Sequence, residues 1–534
     1  MSINVREPVD VLVIGSGASG AAVTWSLSEA GFNVTCLEQG PWVPPSSYST
    51  SSADWQFLQQ TKWHYSPNVR KLPADYPVND DTSQIKVVMF NAVGGSTIHW
   101  TAHVPRFHPS DFRVKTLDGV AEDWPISYFD LEPYYDLNDE MMGCSGINGD
   151  PANPPRSPRQ MPPIPIGPDG ERIARAFDEL GWHWWPSDVH VNSKDYKGRK
   201  ACNYCGPIGQ NCDRGARASS DITYIPEAIK LGAEVRPNST VFEITTGDDG
   251  RATGANYYNA DGEQEFQPAN AVVVGCNGIG TPRMLLHSTS KSHPEGLLNS
   301  SGLVGKNLMF HVYAGASGFF DDLDAPTYRG PLACIIMSQE FYETDPSRDF
   351  KRGYTFQMGR GQGPAPTATG GVSWGKNHHA EFAERFGKNL GLGVIGDDLP
   401  EEKNRVELDT KLTDRYGIPA PKIIYRVGNN SKRLLAHGVN SARTVLESAG
   451  ASRIISSQLS TNAGWHLMGT ARMGEDPALS VVNQYGQGHD ADNVFIVDGS
   501  VFVTGAAVNP TPTIQALALR TADYIRHERS DLKS

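Results

Sequence analysis

No stretch of this 534-residue chain approaches the roughly 20 consecutive apolar residues that cross a bilayer, so the sequence offers no membrane-spanning helix. Positive charge is also short. Lys and Arg number 47 against 60 Asp and Glu, a formal charge of −13 that argues against nucleic acid and anionic membranes as partners. Seven cysteines, an odd number, give no disulfide framework. Neither an internal repeat nor a coiled-coil pattern is present. The opening residues give way to an apolar strand by about Asp10, leaving no room for a signal peptide, and a cytoplasmic protein is expected. What remains is ordinary for a globular enzyme: 39% hydrophobic and 20% charged residues, on a chain long enough for two or more lobes.

The strongest local pattern lies near the N-terminus. An apolar run from Asp10 to Ile14, suited to a buried parallel strand, leads directly into G-x-G-x-x-G and a helical pattern. Gly15 permits the tight turn, Gly17 lets backbone approach a pyrophosphate, and Gly20 lets the helix pack on the strand. Ala18 and Ser19 stand at the start of that helix, whose unpaired N–H groups and dipole suit phosphate. A second apolar strand, residues 33–37, ends at Glu38, at about the expected offset of 20 residues for the acid that accepts a ribose diol. A dinucleotide is expected here, and an acidic ribose partner fits NAD or FAD better than NADP.

The other informative block is C-terminal. It runs from Gly464-Trp465-His466 through the Asp498-Gly499 turn to Asn509-Pro510-Thr511. An imidazole and a carboxamide are both plausible partners for a substrate hydroxyl, and a helix follows them directly. Proline just inside that helix start costs little, because its N–H would be unpaired anyway.

Taken with three further stretches, these blocks resemble the glucose–methanol–choline family of FAD-dependent oxidoreductases, nearly end to end. Residues 91–101, with Gly94, Gly95, Ser96, His99 and Trp100, look like that family's flavin-contacting loop. Residues 272–286 look like its second strand-to-helix signature, and residues 305–311 like the short motif that follows. The resemblance implies FAD as cofactor, His466 as catalytic histidine and Asn509 in the His-or-Asn partner position. It further implies that Val241 places its backbone near the adenine. His99 sits where pyranose oxidases attach FAD covalently, which leaves two readings open: a covalent link, or a non-covalent residue of the flavin loop.

The fold expected is α/β (α+β overall): a Rossmann-like FAD-binding domain with a discontinuous antiparallel-sheet substrate domain. Residues 1–110, 200–310 and 465–534 are assigned to the FAD-binding domain. Residues 111–199 and 311–464 are assigned to the substrate-binding domain and connectors. Alternating patterns at 405–408 and 422–427 predict strands of that second domain, and residues 432–449 a helix against it. The proline-rich stretch 151–165 reads as a surface connector. The glycine- and proline-rich stretch 359–366 is a candidate lid.

Chemistry follows from residue types. A neutral imidazole at His466 suits removal of a hydroxyl proton while a hydride leaves for flavin N5, and Asn509 can orient that hydroxyl without adding charge. The helix starting near Pro510 and Thr511 would stabilise negative charge on the reduced flavin, and Asp498 would hydrogen-bond the ribityl or pyrophosphate region. His103, close to His99, is a secondary pocket candidate. Cys202, Cys205 and Cys212 are clustered, but a closed metal site usually wants four ligands and no obvious fourth cysteine follows. Reduced structural thiols are expected there and no metal, although some sugar dehydrogenases of the family carry a cluster near such a position.

The substrate expected is a secondary hydroxyl of a sugar, glycoside or sugar acid, oxidised to the ketone. The resemblance is strongest to the branch holding pyranose oxidases, glycoside 3-oxidising enzymes and gluconate dehydrogenase flavoproteins. A hydrophobic or cyclic alcohol, a flavin-containing lyase and a partner-dependent electron-transfer subunit are the alternatives. Oxygen or another acceptor would take the electrons, and a homo-oligomer or small accessory subunit is compatible with the sequence.

Overall fold

The computed structural model describes residues 3–48, 52, 54–206, 211–323, 330 and 335–534. Its organising element is the first apolar run, the strand Val9–Ile14, buried along its whole length. Val11 and Val13 pack on one face, with Ala21, Ala22 and Leu519. Leu12 and Ile14 pack on the other, with Val272, Val274 and Val494. Successive side chains of a strand point to opposite faces, so a strand covered on both sides must be apolar at every position.

Among the described residues, five strands of this sheet lie parallel in the order Glu234–Arg236, Val34–Leu37, Val9–Ile14, Gln264–Val274 and Val494–Ile496, and the short strand Asn4–Val5 also pairs parallel with Gln264–Val274. The long strand Gln264–Val274 serves two neighbourhoods. Its second half pairs parallel with Val9–Ile14, whereas its first half pairs antiparallel with Ala252–Tyr258, which in turn pairs with Thr240–Thr246. Helices Ala18–Glu29 and Thr511–Glu528 pack together against one face. Helix Tyr128–Met142 starts with a capping box, Ser127 with Asp130, and is tied to the C-terminal helix where the Tyr135 hydroxyl meets Thr513 Oγ1 at 2.6 Å. The aromatics around it, Phe112, Trp124, Tyr128 and Tyr135, share the buried cluster of Leu12 and Val272.

The second lobe is a six-stranded sheet in the order Arg453–Ser457, Val312–Phe319, Asn389–Gly396, Tyr354–Gly359, Ile336–Ser338 and Trp185–Pro186, antiparallel throughout. Helix Asn429–Ser448 covers it. Its buried positions Leu434, Leu435, Gly438, Val439, Ala442, Val445 and Leu446 recur at helical spacing and form one stripe. The two predicted strands at 405 and 422 do pair antiparallel, Val406 opposite Ile423. They belong, however, to a separate three-stranded sheet, completed by Asn79–Ser83 running parallel to Pro419–Tyr425. Strand pattern shows that a strand exists but not which sheet receives it. The architecture is mixed α/β with several sheets, and among the described residues no helix is long and apolar enough to cross a membrane.

Candidate active site

Because five strands run parallel, their carboxyl ends open on one edge, where ligands bind in such sheets. A cavity of about 490 Å³ lies there, running from Gly15 and Glu38 at one end to His466 and Asn509 at the other. The three fingerprint glycines have different jobs. Gly15 has φ +94°, and a Cβ there would stand 2.6 Å from Gly275 O. A Cβ at Gly20 would stand 1.8 Å from Gly15 O, so this glycine lets the helix close on the strand. A Cβ at Gly17 would meet nothing within 4 Å: the space beside it is cavity.

Glu38 also braces this turn. Its Oε2 accepts from the Ser16 N–H and the Ser16 hydroxyl, each at 2.9 Å, and its Oε1 from the Gly40 N–H at 2.9 Å. Burial pushes its carboxyl upward, and those three donors oppose the shift. Across the cavity, the 94–95 turn packs directly on the fingerprint. Gly94 N–H donates to Ser16 O at 3.2 Å, and a Cβ on Gly95 would stand 2.8 Å from Gly17 Cα. Asp498, at the end of the last parallel strand, accepts from Ser500 N–H at 2.8 Å, Asn277 N–H at 3.0 Å and the Thr281 hydroxyl at 2.5 Å. It thereby fixes the start of helix Asn277–His287 beside the cavity. Pro510 is the N-cap of Thr511–Glu528, and Pro510 and Thr511 line the same space, so the positive end of that helix faces it.

At the other end lie four histidines. His466 sits on a loop held from two sides, by the bridge of Gly464 to Val87 and that of Met468 to Met309. His466 Nδ1 is 2.7 Å from His311 Nδ1, and His311 Nε2 is 2.9 Å from Gly505 O. A carbonyl oxygen only accepts, so His311 carries its proton on Nε2. Its Nδ1 is then an acceptor, His466 donates from Nδ1, and His466 Nε2 is left with a lone pair. Both rings stay neutral. Burial drives His466 well below the usual histidine range, with His311 and His103 adding to the effect, and burial brings His311 down to about 4.

Asn509 Oδ1 is 2.8 Å from His103 Nδ1 and accepts from Gln357 Nε2 at 2.7 Å. His99 is boxed by Trp63, Tyr65 and Phe90, each ring edge-on at centroid distances of 5.4, 5.4 and 4.3 Å. Both His99 nitrogens are buried with no hydrogen-bond partner among the described residues, and burial, then Arg217 and Arg70, hold the ring neutral. Trp100 donates its Nε1–H to Ala218 O at 2.8 Å. At the mouth, Trp465 is half-exposed and meets Tyr313 edge-on, with 5.3 Å between ring centres.

Of the residues singled out from sequence, Gly15, Gly17, Ala18, Ser19, Glu38, Gly95, Ser96, His99, Trp100, Val241, Asp498, Pro510, Thr511, His466 and Asn509 line this one cavity. Gly20 and Gly94 stand behind it as packing and turn residues. The stretch 359–366 does not reach it. Pro364–Pro366 within that stretch is a helical turn whose Ala365 N–H donates to Gln56 Oε1 at 2.8 Å. Cys202, Cys205 and Cys212 carry free thiols away from the cavity. Among the described residues the group close enough to hold a metal is instead Asp139, Cys144 and His190, where Arg106 and Arg156 already pair with Asp139. Sequence reasoning missed His311 and Gln357. His311 closes a motif that was noticed, whereas Gln357 lies on strand Tyr354–Gly359 with no local signal.

The GMC oxidoreductase family models match residues 9–313 and 400–518. Over 98% of this chain and 96% of the other, the sequence is 43% identical to a 2-methyl-1,2-propanediol dehydrogenase of Mycolicibacterium austroafricanum. It is 30% identical to the fructose dehydrogenase large subunit of Gluconobacter japonicus, over 98% of this chain and 99% of that one. The fold is similar to the crystal structure of pyridoxine 4-oxidase from Mesorbium loti, with a TM-score of 0.68 at 16% identity, covering 97% of this chain and 99% of that chain.

Proposed function

Because the chain belongs to the GMC oxidoreductase family, we propose that it oxidises a secondary hydroxyl of a sugar, glycoside or sugar acid, with His466 as base and Asn509 as hydroxyl partner. FAD, if bound in this cavity, would supply the hydride acceptor. The residues present suit that group: an open flank at Gly17, an acid at Glu38 and a helix N-terminus at Thr511.

The observation that carries the reading is the chain of proton positions from Gly505 O through His311 to His466. It leaves His466 Nε2 unprotonated in a cavity that also exposes the Asn509 side chain. The substrate hydroxyl gives its proton to that nitrogen while Asn509 holds its oxygen. A polyhydroxylated substrate is favoured because both the diol dehydrogenase and the fructose dehydrogenase subunit are named for polyols. We extend the proposal to His99 as the point of covalent attachment, since its two buried nitrogens have no partner among the described residues.

An anaerobic absorbance titration of the flavin-loaded protein with pyranoses, glycosides, sugar acids and cyclic alcohols tests the reaction. Bleaching by the polyhydroxylated class is expected; an unchanged spectrum across the panel overturns the proposal. Acid precipitation tests the attachment: flavin colour stays with the pellet if His99 carries the bond and leaves with the supernatant if it does not.

A further inference from the structure

Among the described residues, His103 engages the protein through one ring nitrogen only. Its backbone is fixed: Ala102, at φ +58°, accepts the His190 N–H at 2.8 Å, and Val104 N–H donates to Asp188 O at 2.9 Å. Its Nδ1 lies 2.8 Å from Asn509 Oδ1 and 2.9 Å from Gln357 Nε2. Its Nε2 is buried and has no hydrogen-bond partner among the described residues, although the residue lines the cavity. A buried polar atom left unpaired is costly, so this nitrogen wants a partner that the protein does not supply.

The partner's chemistry follows from the ring. Burial takes His103 to about 4, so the imidazole is neutral and carries one N–H and one lone pair. The contacts at Nδ1 allow either assignment. With the proton on Nδ1 the ring donates to Asn509; without it the ring accepts from Gln357. A hydroxyl complements Nε2 in both states, because it donates as well as accepts. A carboxylate only accepts and an ammonium only donates, so each fits one state alone.

Position narrows the ligand further. The His103 ring touches the Asn509 carboxamide, so its free nitrogen lies one ring-width beyond the group that holds the reacting hydroxyl. We propose that His103 Nε2 binds a second hydroxyl, on the carbon next to the one oxidised, and that the site selects vicinal diols over mono-alcohols. This rests on the alcohol-oxidising reading above.

The test compares matched pairs on the FAD-loaded enzyme under anaerobic conditions: propane-1,2-diol against propan-2-ol, and cyclohexane-1,2-diol against cyclohexanol. Flavin reduction is expected to favour the diol by about tenfold or more in kcat/KM, the scale of one unpaired buried polar group. In His103→Leu the diol-to-mono-ol ratio is expected to collapse, and His103→Gln, which keeps a hydrogen-bonding head, to retain part of it. Binding gives a readout free of turnover. Pinacol, whose carbinol carbons carry no hydrogen, is expected to bind the oxidised enzyme about tenfold tighter than its mono-ol counterpart, by calorimetry. Equal rates and equal affinities for diol and mono-ol in the wild type overturn the His103 assignment alone, whether or not either variant folds. Absence of flavin reduction by every alcohol of both kinds overturns the alcohol-oxidising reading instead.

Discussion

His466 and His311 meet Nδ1 to Nδ1 at 2.7 Å, and that contact decides which nitrogen of His466 is free to act as a base. The decision originates in a backbone carbonyl, Gly505 O, which can only accept from His311 Nε2. Burial keeps both rings neutral, so the arrangement persists at neutral pH. His311 is therefore a positioning residue: it acts on substrate only through His466.

His311→Leu removes the acceptor for the His466 Nδ1–H and lets that ring adopt the other tautomer. The limiting rate of flavin reduction is expected to fall by about 10²-fold, the scale of a misoriented general base. The acid limb of the pH–rate profile should move as well, because His311 helps to hold His466 low. FAD content should not change. A lower rate with an unmoved pH profile would reduce His311 to a packing residue.

His466→Ala is expected to keep FAD while slowing flavin reduction by at least about 10²-fold, measured by anaerobic stopped flow. Unaltered reduction kinetics would remove His466 from the role of base.

The wild-type pH profile follows from the direction of the His466 shift. A base must be deprotonated to act, and burial holds this one well below the usual histidine range. Flavin reduction should therefore be flat as pH falls to about 6.5, an ordinary histidine value, and decline only in more acid solution. An acid limb centred at or above that value would contradict the neutral histidine pair.

Two fingerprint glycines should fail in different ways. Gly17 has φ −68° and open space where a Cβ would go, so Gly17→Val should fold yet lose FAD, because the new side chain occupies the cofactor's path. Gly20→Val forces atoms into Gly15 O and should destabilise the apoprotein, by about 1–3 kcal/mol or more. Denaturant midpoints of the two apoproteins, set beside their flavin content, separate the cases. A fully flavinylated Gly17→Val would mean that the phosphates lie elsewhere.

Much of the nucleotide-binding end was legible in the sequence because its signals are local. Six apolar residues, a glycine turn and a helix form one continuous segment, and each glycine's task depends on neighbours a few residues away. The same holds for helix Asn429–Ser448, whose stripe has the helical period. By contrast, the strands at 405 and 422 were recognisable as strands but not as a separate sheet, because their third member, Asn79–Ser83, lies more than 300 residues upstream. The stretch 359–366 read as a loop by composition, yet its last three residues, Pro364–Pro366, form a helical turn in which the Ala365 N–H donates to distant Gln56.

The sequence by itself determined the parallel strand edge, the residue types along it and the presence of an imidazole and a carboxamide near the C-terminal helix, because each is carried by residues adjacent in the chain. Only the tertiary structure decided what those groups can do. It brought His311 from the residue before strand Val312–Phe319, Gln357 from strand Tyr354–Gly359 of the same sheet and His103 from a loop to within hydrogen-bonding distance of His466 or Asn509. A ring's proton position and charge depend on burial and on the atoms facing it, and those atoms are supplied by segments that only folding brings together.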